Sequence, residues 1–258
     1  MSADPQTFLT KKYPHPRDDH ISFDEGPHIY TIDGDSDYTS VTTWVHKHFP
    51  AFDSNKIIDG MMRSPKWPQN KYYGKTKEEI LAIWDANKNE AAAAGTKMHF
   101  DIECYYNECP RPNDSTEYEY FKAFLKDFGH LKAYRTEWMV FHEEYRLAGS
   151  IDMTFEDPDG NILIYDWKRC KDVKKTSPWG KCAITPEINY MPDTNYWHYA
   201  LQLNVYRQIL EEKYDKRVTE MYLIVLHPDN YNKSYLRLKV PRLEEVSVLL
   251  SKLKNNSS

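Results

Sequence analysis

The chain is poor in cysteine: four in 258 residues, at positions 104, 109, 170 and 182, with no CxxC pair among them. That spacing excludes the usual zinc-finger arrangement and the dense disulfide framework of a small secreted domain. Long apolar runs are also missing; none approaches the roughly 20 residues that span a bilayer. The N-terminal segment MSADPQTFLTKKYPHPRDD has no apolar stretch of the kind a secretory signal needs. An intracellular, soluble protein without a membrane partner is expected. Positive charge is not in excess either: 34 Lys and Arg face 39 Asp and Glu, a formal net charge of -5. A protein that coats phosphates over its whole surface would be basic, so any contact with nucleic acid has to be local. Internal repeats and low-complexity segments are absent.

What is present is an ordinary globular balance of 40% hydrophobic and 28% charged residues, with tyrosine unusually common at 20 copies. Tyrosines fill cores, and they also stack on unpaired bases. One basic stretch stands out. Between Lys168 and Lys181 lie Arg169, Lys171, Lys174 and Lys175 against a single acid, Asp172.

Residues 1–25 carry Pro, Lys and Asp without periodicity and read as a flexible N-terminal arm. His28–Ile32 and Tyr38–Val41 read as a hairpin around Gly34-Asp35-Ser36, followed by a helix capped by Thr39 or Ser40. Residues 54–75, with Pro65 and Pro68, read as an irregular loop or lid. A long helix is predicted from Lys77 to about Asn107, bent or interrupted at Gly95, and another from Ser115 to Phe128, closed by Gly129. Three strands follow: Tyr134–His142, Leu147–Phe155 and Asn161–Lys168. The turn Asp157-Pro158-Asp159-Gly160 links the last two, so the three form an antiparallel meander. Then come a helix (Asn195–Tyr214), two strands (Val218–Leu226 and Ser234–Val240) and a terminal helix starting at Pro241. Lys254 to Ser258 are expected to fray. The order predicts an α/β or α+β core with a central mixed sheet flanked by helices.

The chemistry concentrates on Gly149-Ser150-Ile151-Asp152 and Asp166-Trp167-Lys168. Asp166 and Lys168 are two apart on one strand, so their side chains leave the same face. Asp152 lies on the neighbouring strand, and the hairpin can bring it beside Asp166. Two facing carboxylates repel unless a cation sits between them, and hard oxygen ligands suit Mg²⁺, with Mn²⁺ as a substitute. A lysine beside them can hold the scissile phosphate and orient or help deprotonate a water. The Trp167 carbonyl offers another oxygen. Any single DxK is common in ordinary surface turns; the paired arrangement is far less so. Upstream, His99 and Glu103 share a helix face; downstream, Gln202 and Tyr206 do the same.

Taken in order, GTxxHxxIE, GSID, DWK and QLxxY resemble the motif series of RecB-like nucleases in the PD-(D/E)XK superfamily. The similarity spans roughly residues 77–226, and is greatest to mitochondrial genome maintenance exonucleases and their phage and large-virus relatives. Tyr38 to Thr43 (YTSVTT) resembles their N-terminal SVT motif. The resemblance implies a restriction-endonuclease-like core with an N-terminal helical extension. Residues 26–258 would then be a single nuclease domain, with 26–76 as an N-terminal elaboration. It implies that His99, Asp152, Asp166 and the Trp167 carbonyl bind metal, that Lys168 is the catalytic lysine, and that Gln202 and Tyr206 steady the site or the nucleic-acid backbone. Glu137, in Thr136-Glu137-Trp138, is placed near the same cleft. Arg169, Lys171, Lys174 and Lys175 are candidates for guiding the backbone; Trp67, Tyr72, Tyr73 and Trp179 for stacking on bases. Ile151 stands where the superfamily's name has proline, and the second acid is Asp166 rather than Glu; both are variations within the RecB-like branch. Some relatives hold an iron–sulfur cluster on four cysteines grouped near the C-terminus. The cysteines here are not so grouped, and no cluster is expected.

The resulting expectation is a Mg²⁺- or Mn²⁺-dependent nuclease acting on DNA, with an exonuclease on single-stranded or free-ended DNA preferred. An RNA-directed nuclease, a catalytically silent nucleic-acid-binding module of the same fold, and a hydrolase acting on a small phosphorylated ligand stay open.

Overall fold

The computed structural model describes residues 7–255. The chain divides into two compact units, one combining the segments up to Pro50 and from Met98 onward, the other comprising Ala51–Lys97. The first unit opens with α1 (Phe8–Lys12), a 3-10 turn (Pro16–His20), the strands β1 (Ile21–Asp24), β2 (Ile29–Ile32) and β3 (Thr39–Ser40), and α2 (Val41–His46). The second unit holds α3 (Ser54–Arg63) and a 3-10 turn (Trp67–Gln69), and α4 (Lys77–Tyr106) begins in it and ends in the first. Then follow α5 (Thr116–Phe128), β4 (Lys132–His142), β5 (Leu147–Glu156), β6 (Ile162–Lys168), α6 (Asn195–Lys213), β7 (Val218–Val225), β8 (Leu236–Lys239) and α7 (Glu245–Asn255).

The main sheet is mixed, as the element order predicts. Its order is β3-β5-β6-β7-β8, with β4 paired to β5. β4, β5 and β6 form the expected antiparallel meander, and β6 then runs parallel to β7 through the α6 crossover. The Asp157–Gly160 turn closes with a Gly160 N–H bond to the Asp157 carbonyl at 3.0 Å, and Gly160 adopts φ +81°, which glycine takes without a Cβ penalty. Side chains alternate between two apolar layers. Ile162 and Ile164 of β6 join Leu203, Tyr206 and Ile209 of α6 on one face. Leu163, Tyr165 and Trp167 join Phe121 and Phe124 of α5 and Ile102 of α4 on the other.

Several boundaries depart from the sequence reading. Residues 8–24, expected within a loose arm, form α1, a 3-10 turn and β1; residues 1–6 of that arm lie outside the described residues. The segment is held by distant partners: Arg135 binds the Tyr13 carbonyl at 3.0 Å and Asp18 at 2.8 Å, and the Leu9 amide binds Asn107 at 2.9 Å. The N-terminal hairpin pairs β1 with β2, while β3 leaves it to lie parallel to β5. Ser40 caps α2 as expected, accepting from the Thr43 amide. Ser54–Arg63 is helical rather than irregular, because Asp53 caps it and Ile58 is fully buried. α4 runs through Gly95 without a break. The last helix starts at Glu245, not Pro241, and continues through Lys254 and Asn255, which were expected to fray. The segment after Pro241 is instead held by Asn204, which donates to the Pro241 carbonyl (2.9 Å) and accepts from the Leu243 amide (2.8 Å). Among the described residues no helix is long and apolar enough to cross a membrane.

Candidate metal centre

Four elements of the first unit converge on one spot: the C-terminal part of α4, the middle of β4, the middle of β5 and the end of β6. Asp152 and Asp166 lie opposite one another just past the last paired residues of β5 and β6, Met153 and Tyr165. The Trp167 amide donates to Asp152 Oδ2 at 2.8 Å, which fixes that carboxylate against the neighbouring strand. His99 Nδ1 stands 3.6 Å from Asp152 Oδ2 and 3.6 Å from Glu137 Oε1. Donor atoms of His99, Glu137 and Asp152 all lie within 4.8 Å of one another. Beside them, Lys168 Nζ forms an ion pair with Asp166 Oδ2 at 2.7 Å, an oxygen that receives no aligned hydrogen bond.

Glu137 reaches the cluster by a strained route. Its φ is +41° in the middle of β4, a conformation that costs a side-chain-bearing residue about 1–3 kcal/mol. Ser150 on β5 donates to Glu137 Oε2 at 2.9 Å and holds the carboxylate in place. The sequence reading placed Glu137 only near the cleft; the structure makes it one of three converging donors.

α6 closes the other side. Lys168 Nζ sits 4.7 Å from the centre of the Tyr199 ring. Gln202 Nε2 donates to the Tyr206 hydroxyl at 3.4 Å. Tyr206 lies so close to β5 that a Cβ on Gly149 would come within 2.7 Å of its ring and hydroxyl. The glycine of GSID thus admits a tyrosine ring against the strand. Tyr199, which no motif singled out, is the neighbour the sequence missed; it lies one helical turn before Gln202 and Leu203.

The electrostatics follow from burial and crowding. Burial, then the charge of Asp152, pushes Asp166 up to about 7. Burial likewise raises Asp152, against the pull of His99 and Lys168. Burial pulls His99 down, but Asp152 and Glu137 outweigh it and hold the imidazole up to about 9. Lys168 is also opposed by burial, yet Asp166 and Asp152 keep its ammonium protonated well above the usual range. Three carboxylates, an imidazole and an ammonium crowd together, with imidazole and carboxylate donors within reach of one ion. That donor set fits a divalent cation such as Mg²⁺ or Mn²⁺. Trp167 meets the centre through its amide N–H.

The basic residues are dispersed. Arg169 Nε donates to Glu117 at 2.6 Å, and Lys171 pairs with Asp229 at 2.9 Å. Lys174 lies 3.4 Å from Asp172, and Lys175 stands over the Tyr196 ring at 4.5 Å. Trp179 is 84% exposed, and Tyr73, in the second unit, 59%. Trp67 packs edge-on to Tyr73, and Tyr72 accepts from Trp84 Nε1 at 2.9 Å. All four cysteines are free thiols.

No protein-family model matches this chain, and no curated protein sequence does. Solved structures give distant likenesses. One is a crystal structure of SSO0001, 12% identical over 68% of each chain with a TM-score of 0.28. Another is a protein from Eubacterium rectale provisionally named an exonuclease, 14% identical over 86% of this chain and 83% of that one, with a TM-score of 0.39.

Proposed function

We propose that the protein is a metal-dependent nuclease of the RecB-like type, hydrolysing phosphodiester bonds of DNA. The observation that carries this reading is the convergence of His99, Glu137 and Asp152 within 4.8 Å, beside the buried Asp166–Lys168 pair. The ordered motif series supports it. Asp152, Asp166, His99 and Glu137 would hold Mg²⁺, or Mn²⁺ in its place, and the Trp167 carbonyl remains a candidate ligand. When bound, such an ion polarises a phosphate and lowers the pKa of a water. The remaining work belongs to the chain. Lys168 presents its ammonium where negative charge develops on the phosphate. The Trp167 amide and Ser150 hydroxyl keep the Asp152 and Glu137 carboxylates from rotating away. Tyr206 and Gln202 brace the strand that carries Asp152.

An exonuclease acting on single-stranded or free-ended DNA is the favoured form. The test is cutting of end-labelled linear and circular DNA, and of RNA, with Mg²⁺, Mn²⁺ or a chelator. Linear DNA should be degraded and circles spared, and the chelator should stop the reaction. Asp166→Ala and Lys168→Ala should each lower single-turnover cutting by about a hundredfold or more. Substrates all left intact with both ions would sink the reading.

A further inference from the structure

The backbone of Lys168 is fixed, but its ammonium has two partners to answer. The Leu226 amide donates to the Lys168 carbonyl at 2.9 Å, so the strand end that carries the side chain is paired. The side chain is only 17% exposed. Its four-carbon stem rotates freely, however, and strand pairing does not decide where the charged head comes to rest. One partner is Asp166. Its Oδ2 lies 2.7 Å from Nζ, near enough for a strong bond, yet that oxygen receives no aligned hydrogen bond. The ammonium therefore stands out of line with the carboxylate. The other partner is Tyr199. Nζ lies 4.7 Å from the centre of its ring, inside the roughly 6 Å over which a ring face attracts a cation. A lysine that answered Asp166 alone would swing into line with it. This one is held between a carboxylate and a ring.

The sequence of α6 explains why a ring stands there. Tyr199, Gln202 and Tyr206 follow one another at spacings of three and four, which is one face of a helix. Tyr206 lies against Gly149 of β5, and Gln202 donates to the Tyr206 hydroxyl, so that face is anchored on the strands of the centre. Tyr199 packs against the larger apolar layer. The ring thus has a settled place, and it can lend that place to the mobile head of Lys168.

We propose that Tyr199 is a positioning residue of the cutting reaction: its ring keeps the Lys168 ammonium at the centre and free of full engagement with Asp166, where it can meet the phosphate. The proposal rests on the nuclease reading. Its physical point is competition. Asp166 is also a candidate ligand for a divalent cation, and a lysine with no other partner would be set loose when that carboxylate is taken. The face of a ring is no ligand for a hard cation, which selects oxygen atoms. Lys168 therefore keeps one partner that a metal does not contest.

The experiment uses the full chain and two readouts, one of which needs no cutting. The first is NMR of protein carrying isotope-labelled lysine, with the Lys168 signal identified by its loss in Lys168→Ala. Protons held over an aromatic face are shifted upfield, so the ε-methylene of Lys168 should be upfield in wild type and in Tyr199→Phe. Tyr199→Leu should remove the shift, and saturating Mg²⁺ should leave it in place in wild type. The second is single-turnover cutting of linear DNA with Mn²⁺ over a range of DNA concentrations. Tyr199→Leu should lower the maximal rate about tenfold, the scale of a desolvated cation–ring contact, with the half-saturating DNA concentration unchanged. Tyr199→Phe should stay within about twofold of wild type, because the ring face is kept. In a Lys168→Ala background Tyr199→Leu should cost nothing more, since the ring acts through the lysine. A tyrosine that only supports the fold would behave differently: leucine would weaken Mn²⁺ binding in calorimetry, and its loss would add to that of Lys168→Ala. If the leucine variant does not fold, Tyr199→Met removes the ring and keeps the bulk. No upfield shift in wild type, a shift that Mg²⁺ abolishes, wild-type cutting without the ring, or additive losses would each overturn the proposal. A wild type that leaves DNA whole removes the nuclease reading and this role with it, even where the spectra place the lysine on the ring. Cutting that is indifferent to Tyr199→Leu removes the role alone.

Discussion

Gly149→Ala probes the contact that braces the centre. The added methyl would lie 2.7 Å from both Cε1 and the hydroxyl of Tyr206, and 3.1 Å from Cζ. Two effects oppose each other. Gly149 does not have a positive φ, so alanine suits the backbone and should gain about 0.4–1 kcal/mol by restricting the unfolded chain. Overpacking a tight contact costs about 1–3 kcal/mol. Tyr206 is only 3% exposed and packed in the larger apolar layer, so its ring cannot swing clear without giving up that burial. The clash should win, with a net loss of about 1–2 kcal/mol. Urea denaturation should show a lower midpoint with an unchanged slope. Because Asp152 sits three residues further along β5, single-turnover cutting should fall too, by as much as about a hundredfold for an ångström of displacement. Tyr206→Phe removes one of the two shortest contacts. In that background Gly149→Ala should therefore cost less, with a coupling of about 0.5–3 kcal/mol. A Gly149→Ala protein as stable as wild type, with no coupling to Tyr206→Phe, would refute the reasoning.

At Glu137 the φ of +41° should invert the usual preference for alanine over glycine. Glu137→Gly should be more stable than Glu137→Ala by about 1–2 kcal/mol in thermal or urea unfolding, while both bind Mn²⁺ more weakly. The opposite order would show that the strain is not there. His99 is held protonated up to about 9, and an imidazole must be neutral to bind a metal. Mn²⁺ affinity should therefore climb with pH and level off above about 9. Calorimetry in two buffers at pH 7.5 should show release of about one proton on binding, and no release would exclude His99 as a ligand. His142 is fully buried and faces Glu212 at 2.8 Å; burial, only partly offset by Glu212, pulls it down to about 4. Its folded value lies below its unfolded value near 6.5, so the unfolded chain takes up the extra proton in between. Stability should be full above pH 6.5 and should fall, on the order of 3 kcal/mol, as pH drops toward 4. Replacing His142 with Gln should flatten the unfolding midpoint across that window.

The meander, both flanking helices and the Asp152–Asp166–Lys168 pairing were legible because they depend on local periodicity and one turn. Alternation places Asp166 and Lys168 on one face whatever else the chain does. Glu137 was only half legible. Strand alternation assumes an extended backbone, and no side-chain pattern announces a left-handed residue in mid-strand. The N-terminal segment misled for a different reason. Leu9 and Ile21 are too sparse to show a period, and the segment is held by Asn107 on Leu9 and by Arg135 on Tyr13 and Asp18, more than 90 residues away. Ser54–Arg63 was obscured by the prolines just after it, which end a helix as readily as they mark a loop.

Trp167 lies between the two residues that most define the centre, and it points the other way, edge-on to Phe121 and Phe124 at 5.7 and 5.3 Å. β6 therefore has no neutral frame. Gaining or losing one residue within it would turn an indole toward the acidic cluster and a carboxylate into an aromatic core. Single-codon insertions and deletions in this strand should thus be among the most damaging changes the gene can suffer. The same events in the Asp157–Gly160 turn, where only the loop length changes, should often be survivable. Deep indel scanning would show the contrast as a sharp edge at Ile162.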